Sequence, residues 1–325
     1  MKLFIFGSTG DLVRRKVLPA LHDLKVPVEI YALGRKAYDN KQYLDSVHIL
    51  KFDKKLNYVS VDFTEKNIFK SHLTIFDKLN TNFIYISLPP AELDKVFAEL
   101  GMLKKQGYKL KILIEKPFGI DLLHFKKLHS LVTEFNLDVH ISDHYLFKKN
   151  ILALHKQTFS KLKIVSVEKL GLEGRASYYD STGALKDMVQ SHFLNIVFKL
   201  FDDFSDFKVI KYERKQYDGY ESELGKKSDT ETFVHLIIES KEKIFEFITG
   251  KAFNSKESYI EIDGKRVEID SSENPYMEKF RRFLNSETND FPDLEHTFLA
   301  WKIIESLPKA KLGHYKKGIN FSEML

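Results

Sequence analysis

His192 and Asp187 are two side chains able to move or hold a proton in the stretch Glu173 to Asn195, EGRASYYDSTGALKDMVQSHFLN. An imidazole titrates near neutral pH, so it can take up or release a proton under ordinary conditions. Around them Leu185, Met188, Val189, Phe193, Ile196 and Val197 recur at helical spacing, which predicts a helix over Ala184–Lys199. Gly183 separates that helix from a preceding arm of polar and aromatic residues. Asp187, Gln190 and His192 fall off the apolar stripe. Five residues apart on an α-helix, Asp187 and His192 stand about 140° from each other. Both would meet only a ligand lying across one broad face. A solvated Asp and a hydrogen-bonded His at a helix edge is the plainer alternative.

Other groups with chemistry end predicted strands. Lys2–Phe6 is a short apolar run followed at once by Gly7-Ser8-Thr9-Gly10-Asp11-Leu12 and a predicted helix, Val13–Leu24. Strand, glycine turn and helix form the dinucleotide-binding arrangement, in which glycines admit a pyrophosphate to the backbone at a helix N-terminus. The spacing is G-x-x-G and not the full G-x-G-x-x-G, so its place at the first strand–helix junction carries the reading. A second strand, Val28–Leu33, ends in Gly34-Arg35-Lys36. A cation at this point accommodates the 2′-phosphate of NADP, where an acid would bind the ribose of NAD. Asn57–Val61 and Phe83–Leu88 read as strands, the latter closed by Pro89-Pro90 before a helix over Pro90–Leu103. Lys111–Ile114 ends in Glu115-Lys116-Pro117-Phe118-Gly119, and the Lys116–Pro117 bond is a candidate cis peptide. A helix over Asp121–Phe135 leads to Val139–Ile141 and then Ser142-Asp143-His144-Tyr145-Leu146-Phe147-Lys148. The C-terminal ends of parallel strands face the ligand crevice, which makes Lys116 and this last run candidate contacts.

Past residue 150 the rhythm changes. Strand-like runs at Ile164–Leu170, Phe207–Tyr212, Thr232–Glu239, Ile244–Thr249, Tyr259–Ile262 and Arg266–Ile269 follow without regularly alternating helices between them. Gln216–Asp229 reads as a mobile polar surface loop, Asp263-Gly264 as a hairpin turn, and Met277–Asn285 and Leu294–Leu307 as helices. The expectation is an α/β Rossmann dinucleotide-binding domain over 1–148 plus an α+β domain with a largely antiparallel sheet over 149–325.

Composition agrees with a globular enzyme-sized chain. The 325 residues are 43% hydrophobic and 30% charged, with a net charge of +5. That length favours two domains. The charge suits an anionic small molecule, and its even scatter argues against nucleic acid. No apolar run reaches the roughly 18 residues of a membrane span, so no membrane association is expected. The first residues read as a strand entering a fold, not as a signal peptide. With no cysteine, disulfides, thiolate nucleophiles and Cys-based metal sites are excluded, which fits a cytoplasmic protein.

Five stretches, GSTGDLVRRKVLPAL, IEKPFG, SDHYLFK, EGRASYYDSTGALKDMVQSH and SDTETF with GKAFNSK, together resemble glucose-6-phosphate dehydrogenases and stand in that family's order. The resemblance implies oxidation of C1 of glucose 6-phosphate to 6-phosphogluconolactone, with hydride passing to NADP+ or in some members NAD+, in the oxidative pentose phosphate pathway. It makes His192 the general base and Asp143 the carboxylate that orients and stabilises it. It puts His144, Tyr145 and Lys148 on the sugar phosphate. Lys116 falls between coenzyme and substrate, and Glu168 and Asp187 on sugar hydroxyls. Lys251 and Lys256 match a basic pair near the substrate. Gly7, Ser8, Thr9, Gly10, Asp11 and Leu12 would wrap the pyrophosphate, with Thr9 and Arg35 near the adenosine phosphate and Tyr85 along the strand edge. No metal is expected, and a homo-oligomer, dimer or tetramer, is. The chain departs from the family in its short length, in Ser191 for a usual Asn, in Lys186 for a common Arg, and in Phe147 for a usual Gly beside the phosphate pocket. Another NAD(P)-dependent sugar or polyol dehydrogenase of the same plan, or a non-catalytic dinucleotide sensor, are the competing readings.

Overall fold

The computed structural model describes residues 1–48, 52–172, 176–202, 204, 206–269 and 273–325. It divides into two compact units: 1–147 with 274–298, and 148–273 with 299–325.

The first unit is built on six strands: β1 (Lys2–Phe6), β2 (Glu29–Gly34), β3 (Leu56–Ser60), β4 (Asn82–Ile86), β5 (Leu110–Glu115) and β6 (Asp138–Ser142). They lie in the order β3-β2-β1-β4-β5-β6, and every pairing is parallel. This is the doubly wound Rossmann order, which reverses direction between β1 and β4. A parallel sheet is covered on both faces, so its strands are apolar throughout. Accordingly Leu3 to Phe6 of β1 and all five residues of β4 are buried. The Leu93–Lys105 and Leu122–Glu134 helices are the expected crossovers, the second capped by the Asp121 carboxylate, which accepts from the His124 N–H at 2.7 Å.

A helix at Asn40–Ser46 had no counterpart in the sequence reading. It starts with a capping box, in which Asp39 and Gln42 satisfy each other's backbone N–H groups. Residues 274–298, expected in the second domain, also belong to this unit. The Pro275–Leu284 helix sends Phe280 and Phe283 onto Tyr85 and Phe83 of β4, with centroids 5.1 and 5.4 Å apart. Further on, the Pro292 carbonyl accepts from the Ile141 N–H of β6 at 3.2 Å. That bond occupies part of an edge that would otherwise offer unpaired donors.

The second unit holds β7 (Lys161–Val167), β8 (Lys208–Tyr217), β9 (Phe233–Ser240), β10 (Lys243–Gly250), β11 (Glu257–Ile262), β12 (Lys265–Glu268) and β13 (Leu312–Tyr315), in the order β12-β11-β7-β10-β9-β8-β13. Four pairings are antiparallel, and two, β7 with β10 and β8 with β13, are parallel. The sheet is therefore mixed and mostly antiparallel. Asp263 and Gly264 both have positive φ, 46° and 82°, as a two-residue hairpin turn of this hand requires.

Gln216–Asp229 is not the polar surface loop its composition suggested. β8 continues to Tyr217 and a short helix follows at Tyr220–Leu224. Tyr217 and Tyr220 are buried in one aromatic cluster with Phe233, Phe253 and Tyr315. Their rings supply the apolar payload that the surrounding Asp, Glu and Lys residues conceal in the sequence. Among the described residues no helix is long and apolar enough to cross a membrane.

Candidate active site

In the first unit the glycine turn closes tightly at the C-terminal end of β1. Gly7 has φ 79°, and a Cβ there would lie 2.2 Å from the Ser87 carbonyl oxygen. No side chain fits, so the backbone itself forms the surface. The Gly10 N–H donates to the Gly7 carbonyl at 3.0 Å and the Arg14 N–H to the Gly10 carbonyl at 3.1 Å. Ser8 is pinned from behind: its N–H donates to Leu33 at 2.9 Å, and its carbonyl accepts the Tyr43 hydroxyl at 3.0 Å. The Ser8 Oγ is buried with no hydrogen-bond partner among the described residues. Thr9 and Asp11 are exposed and Gly10 and Leu12 partly so. Asp11 bonds Arg14 at 2.8 Å, which holds its carboxyl below the usual range.

Arg35 is exposed directly after Gly34, whose own Cβ would come within 3.0 Å of Thr9 Cγ2 and the Tyr58 hydroxyl. The Arg35 charge acts on Asp62 and Glu92. Burial pushes the Glu92 carboxyl up, with Arg35 opposing the shift.

Tyr85 does not stand at an open edge. It is fully buried and donates to Glu115 Oε1 at 2.6 Å. The same oxygen accepts from Ser142 Oγ at 2.6 Å and from Lys279 Nζ at 2.9 Å. Burial would raise Glu115, but the Lys279 charge and the two hydroxyls outweigh it and leave the carboxyl below its ordinary value. Burial in turn lowers the Lys279 ammonium, opposed by Glu115. The next residue after Glu115 is Lys116, partly buried and joined to Pro117 by a cis peptide.

Asp143 follows Ser142 at the end of β6 and is fully buried. Its Oδ1 accepts from the Tyr145 N–H at 2.9 Å and its carbonyl from the Leu146 N–H at 3.3 Å, so the carboxylate sits in an Asx turn. His144 stacks on Tyr276 at 5.4 Å and meets Tyr145 edge-on at 5.1 Å. Phe147 is buried against Phe291 at 4.7 Å, within the core of this unit. It spends its bulk on packing, a placement the comparison with a family glycine did not suggest.

In the second unit, Glu173, Gly174 and Arg175 lie outside the described residues. The arm after them is helical from Ala176, and Gly183 breaks it at φ 65°, ψ 176°. Leu185–Phe193 then runs as a π-helix and continues into an α-helix over Leu194–Leu200. The Leu194 N–H bonds the Val189 carbonyl, five residues back, and Ser191 Oγ donates to the Lys186 carbonyl at 2.8 Å, also five back. In this winding, residues five apart stand only about 50° from each other around the axis. Asp187 and His192 therefore share a face, not the 140° separation that α-helical spacing gave. His192 and Gln190 are buried, 2% and 6% exposed, and Asp187 is half-buried. Lys186, in place of Arg, lies over the Trp301 ring at 5.5 Å.

The start of this helix is held by Glu231, which sequence reasoning passed over inside SDTETF. Its Oε1 accepts from the Leu185 N–H at 3.0 Å and its carbonyl from the Ala184 N–H at 3.1 Å. Burial raises its carboxyl above the ordinary range. Lys251 is buried, ion-paired with Glu168 and set over the Tyr179 ring at 5.0 Å. Burial, then the charges of Asp187 and Glu231, push the Tyr179 phenol well up, which puts both carboxylates near that ring. Tyr179 is a second missed neighbour. Lys256 is exposed just before β11, unlike Lys251, and Lys148 opens this unit half-buried ahead of the Lys149–Leu152 helix. A cavity of about 850 Å³ in the first unit lies among Lys2, Val28, Glu29, Lys54 and Phe83, at the opposite end of the strands from the glycine turn.

These features define a two-unit protein with a Rossmann dinucleotide fold and a separate mixed-sheet unit. Residues 4–152 match the family described as glucose-6-phosphate dehydrogenase, NAD binding domain, and residues 146–201 match the C-terminal domain of the same enzymes. The chain belongs to the glucose-6-phosphate dehydrogenase family. A glucose-6-phosphate 1-dehydrogenase of Borreliella burgdorferi is 33% identical over 229 residues, covering 60% of this chain and 48% of that one. The Helicobacter pylori J99 protein of the same name is 29% identical over 286 residues, 72% of this chain and 67% of that one. The chain spans about half the length of several relatives it matches, the Dickeya dadantii enzyme among them at 48%. Among solved structures, glucose-6-phosphate 1-dehydrogenase from Mycobacterium avium superposes with a TM-score of 0.83 at 20% identity, covering 98% of this chain and 94% of that one. A myo-inositol dehydrogenase from Corynebacterium glutamicum gives 0.68 at 10%, covering 94% and 95%. At such identities the likeness is one of fold.

Proposed function

We propose that this protein oxidises C1 of glucose 6-phosphate to 6-phosphogluconolactone, as a short glucose-6-phosphate dehydrogenase of the oxidative pentose phosphate pathway. The observation that carries the reading is the buried His192 on a π-helical turn that shares its face with Asp187. Single π turns recur at functional sites, because the wide winding re-aims side chains that an α-helix would separate.

The glycine turn fits a dinucleotide. Gly7 has no space for a side chain, and Ser8 keeps a buried hydroxyl with no partner among the described residues. Gly7, Ser8, Thr9, Gly10, Asp11 and Leu12 would hold the pyrophosphate, Arg35 the 2′-phosphate of NADP, and Lys116 would stand between coenzyme and substrate. Bound there, the coenzyme supplies the hydride acceptor. His192 takes the proton of the C1 hydroxyl as the C1–H bond breaks, so the ring oxygen and C1 are left as a lactone. Asp143, supported by the family resemblance, fixes the imidazole and balances its charge once protonated. His144, Tyr145 and Lys148 hold the phosphate, Lys251 and Lys256 stand as a basic pair near the substrate, and Glu168 and Asp187 hold the sugar hydroxyls. The buried Tyr85 contributes through its packing and leaves its hydroxyl to Glu115.

NADP is favoured over NAD on the strength of Arg35, and no metal takes part. A homo-oligomer in the cytoplasm is the accompanying reading, and light scattering of the purified protein tests the assembly. For the reaction, protein is mixed with glucose 6-phosphate and NADP+ or NAD+, and nicotinamide absorbance is followed. Reduction supports the proposal. Coenzyme binding without reduction, or faster turnover of an unphosphorylated sugar or polyol, refutes it.

A further inference from the structure

One buried cation in the first unit is joined to the ends of two neighbouring strands. Lys279 is 0% exposed and sits among the rings of Tyr276, Tyr85 and Phe280 at 4.2, 5.3 and 5.2 Å. Its Nζ donates to Glu115 Oε1 at 2.9 Å and to Ser142 Oγ at 2.6 Å. Glu115 and Ser142 are register partners, the last residues of β5 and β6. The next residues along the chain are Lys116 and Asp143.

Fold stability alone is a weak reason to keep this arrangement. Stripping water from two charges costs several kcal/mol per ion, and apolar replacements of a buried pair are often as stable or more so. An apolar Met in place of Lys279 would suit the surrounding aromatic rings. What an apolar side chain cannot do is bind two acceptors on adjacent strands at once. We propose that Lys279 is a positioning residue: its ammonium ties the ends of β5 and β6 together and thereby sets Lys116 and Asp143 in their working places. This rests on the dehydrogenase reading given above.

The Tyr276 ring extends the same arrangement, since Lys279 lies over it and His144 stacks on it. Three residues flanking the strand ends, Lys116, Asp143 and His144, are thus within one or two steps of a single nitrogen. A displacement of about 1 Å in such groups costs on the order of 10²-fold in rate, while ground-state binding, spread over more contacts, suffers less.

The test compares Lys279→Met and the double variant Glu115→Gln/Lys279→Met with the wild type. Thermal unfolding, coenzyme binding and steady-state kinetics with glucose 6-phosphate and NADP+ are measured on each. Lys279→Met strands a buried carboxylate and is expected to lower the melting temperature. The double variant removes both charges and is expected to recover much of it. The proposal expects kcat to fall roughly 10- to 100-fold in both, with KM for either substrate within about threefold. Folded variants that turn over like the wild type overturn it. So does a loss that the double variant reverses along with the melting temperature, since that is a purely structural role. Should both Lys279 variants fail to fold, Ser142→Ala decides, because it keeps the Lys279–Glu115 pair and releases β6 alone. A several-fold drop in kcat at unchanged KM supports the tie, and unaltered kinetics overturn it. Wild-type protein that reduces no coenzyme instead overturns the proposed function itself.

Discussion

Replacing Gly183 with Ala tests how the π-helical turn is held. Gly183 has φ 65° and ψ 176°, a region essentially closed to residues with a Cβ, and a non-glycine residue forced into such a conformation costs about 1–3 kcal/mol. The added Cβ also lies 2.4 Å from Glu231 Oε1 and 2.9 Å from its Cδ. The carboxylate can swing away, but that oxygen is the acceptor of the Leu185 N–H, and losing a cap of this kind costs about 0.5–2 kcal/mol. Together the change should cost about 1.5–5 kcal/mol, or roughly 3–20 °C in melting temperature at about 2–4 °C per kcal/mol. Gly225→Ala is the control. It too has a positive φ, 80°, but its Cβ meets nothing within 4 Å. Gly225 is in the milder left-handed helical region (ψ 10°), so differential scanning calorimetry of the two variants shows how much the Gly183 backbone and the collision with Glu231 together add beyond ordinary left-handed strain. If Gly183→Ala unfolds at the same temperature as Gly225→Ala, the Glu231 cap does not hold the helix start as argued.

His192→Asn, which keeps a polar side chain in the buried position, should lower kcat by about 10²–10⁴-fold with the fold intact, and near-unchanged turnover in a folded variant would remove His192 from the chemistry. Arg35→Ala should weaken NADP+ binding far more than NAD+ binding, read by titration with each coenzyme, and equal losses would mean the 2′-phosphate lies elsewhere. Acid stability should depend on Glu246. Its hydrogen bond to His235, followed by the charges of Lys161 and Lys163, brings its carboxyl from 4.5 to about 2 despite opposing burial. A lowered folded-state value means stability that is fully present above about pH 4.5 and lost as pH falls towards about 2. Melting curves of Glu246→Gln should therefore show a shallower loss across that window than the wild type, and identical slopes would refute the linkage.

The strands of the Rossmann sheet were legible because a parallel sheet covered on both faces demands unbroken apolar runs, and LFIF, FIYI and ILI are such runs. The same logic misled at Tyr85. Its place on β4 was read correctly, but which face its ring takes depends on the Pro275–Leu284 helix, nearly two hundred residues on. The Asn40–Ser46 helix escaped because Tyr43 is its one buried residue, and the signal available was the Asp39–Gln42 cap. At the second unit's helix, residue types identified His192 and Asp187, whereas their shared face follows from hydrogen bonding that no α-helical wheel reproduces. Lys279 could not have been found at all. In the run MEKFRR it is one charged residue among several, and its burial is decided by Glu115 and Ser142.

The return of residues 274–298 to the first unit has a consequence for synthesis. Domains tend to form as they leave the ribosome, from the N-terminus onwards. Here the Glu115 carboxylate acquires its cation only when Lys279 has been made, and β4 keeps Phe83 and Tyr85 uncovered until Phe280 and Phe283 arrive. The intervening 148–273 must be translated first, a delay of roughly 6–25 s at about 5–20 residues per second. During that interval the nucleotide-binding sheet is a nascent chain with an exposed aromatic face, and the second unit, which needs residues 299–325 for its last strand, is completed only after the first.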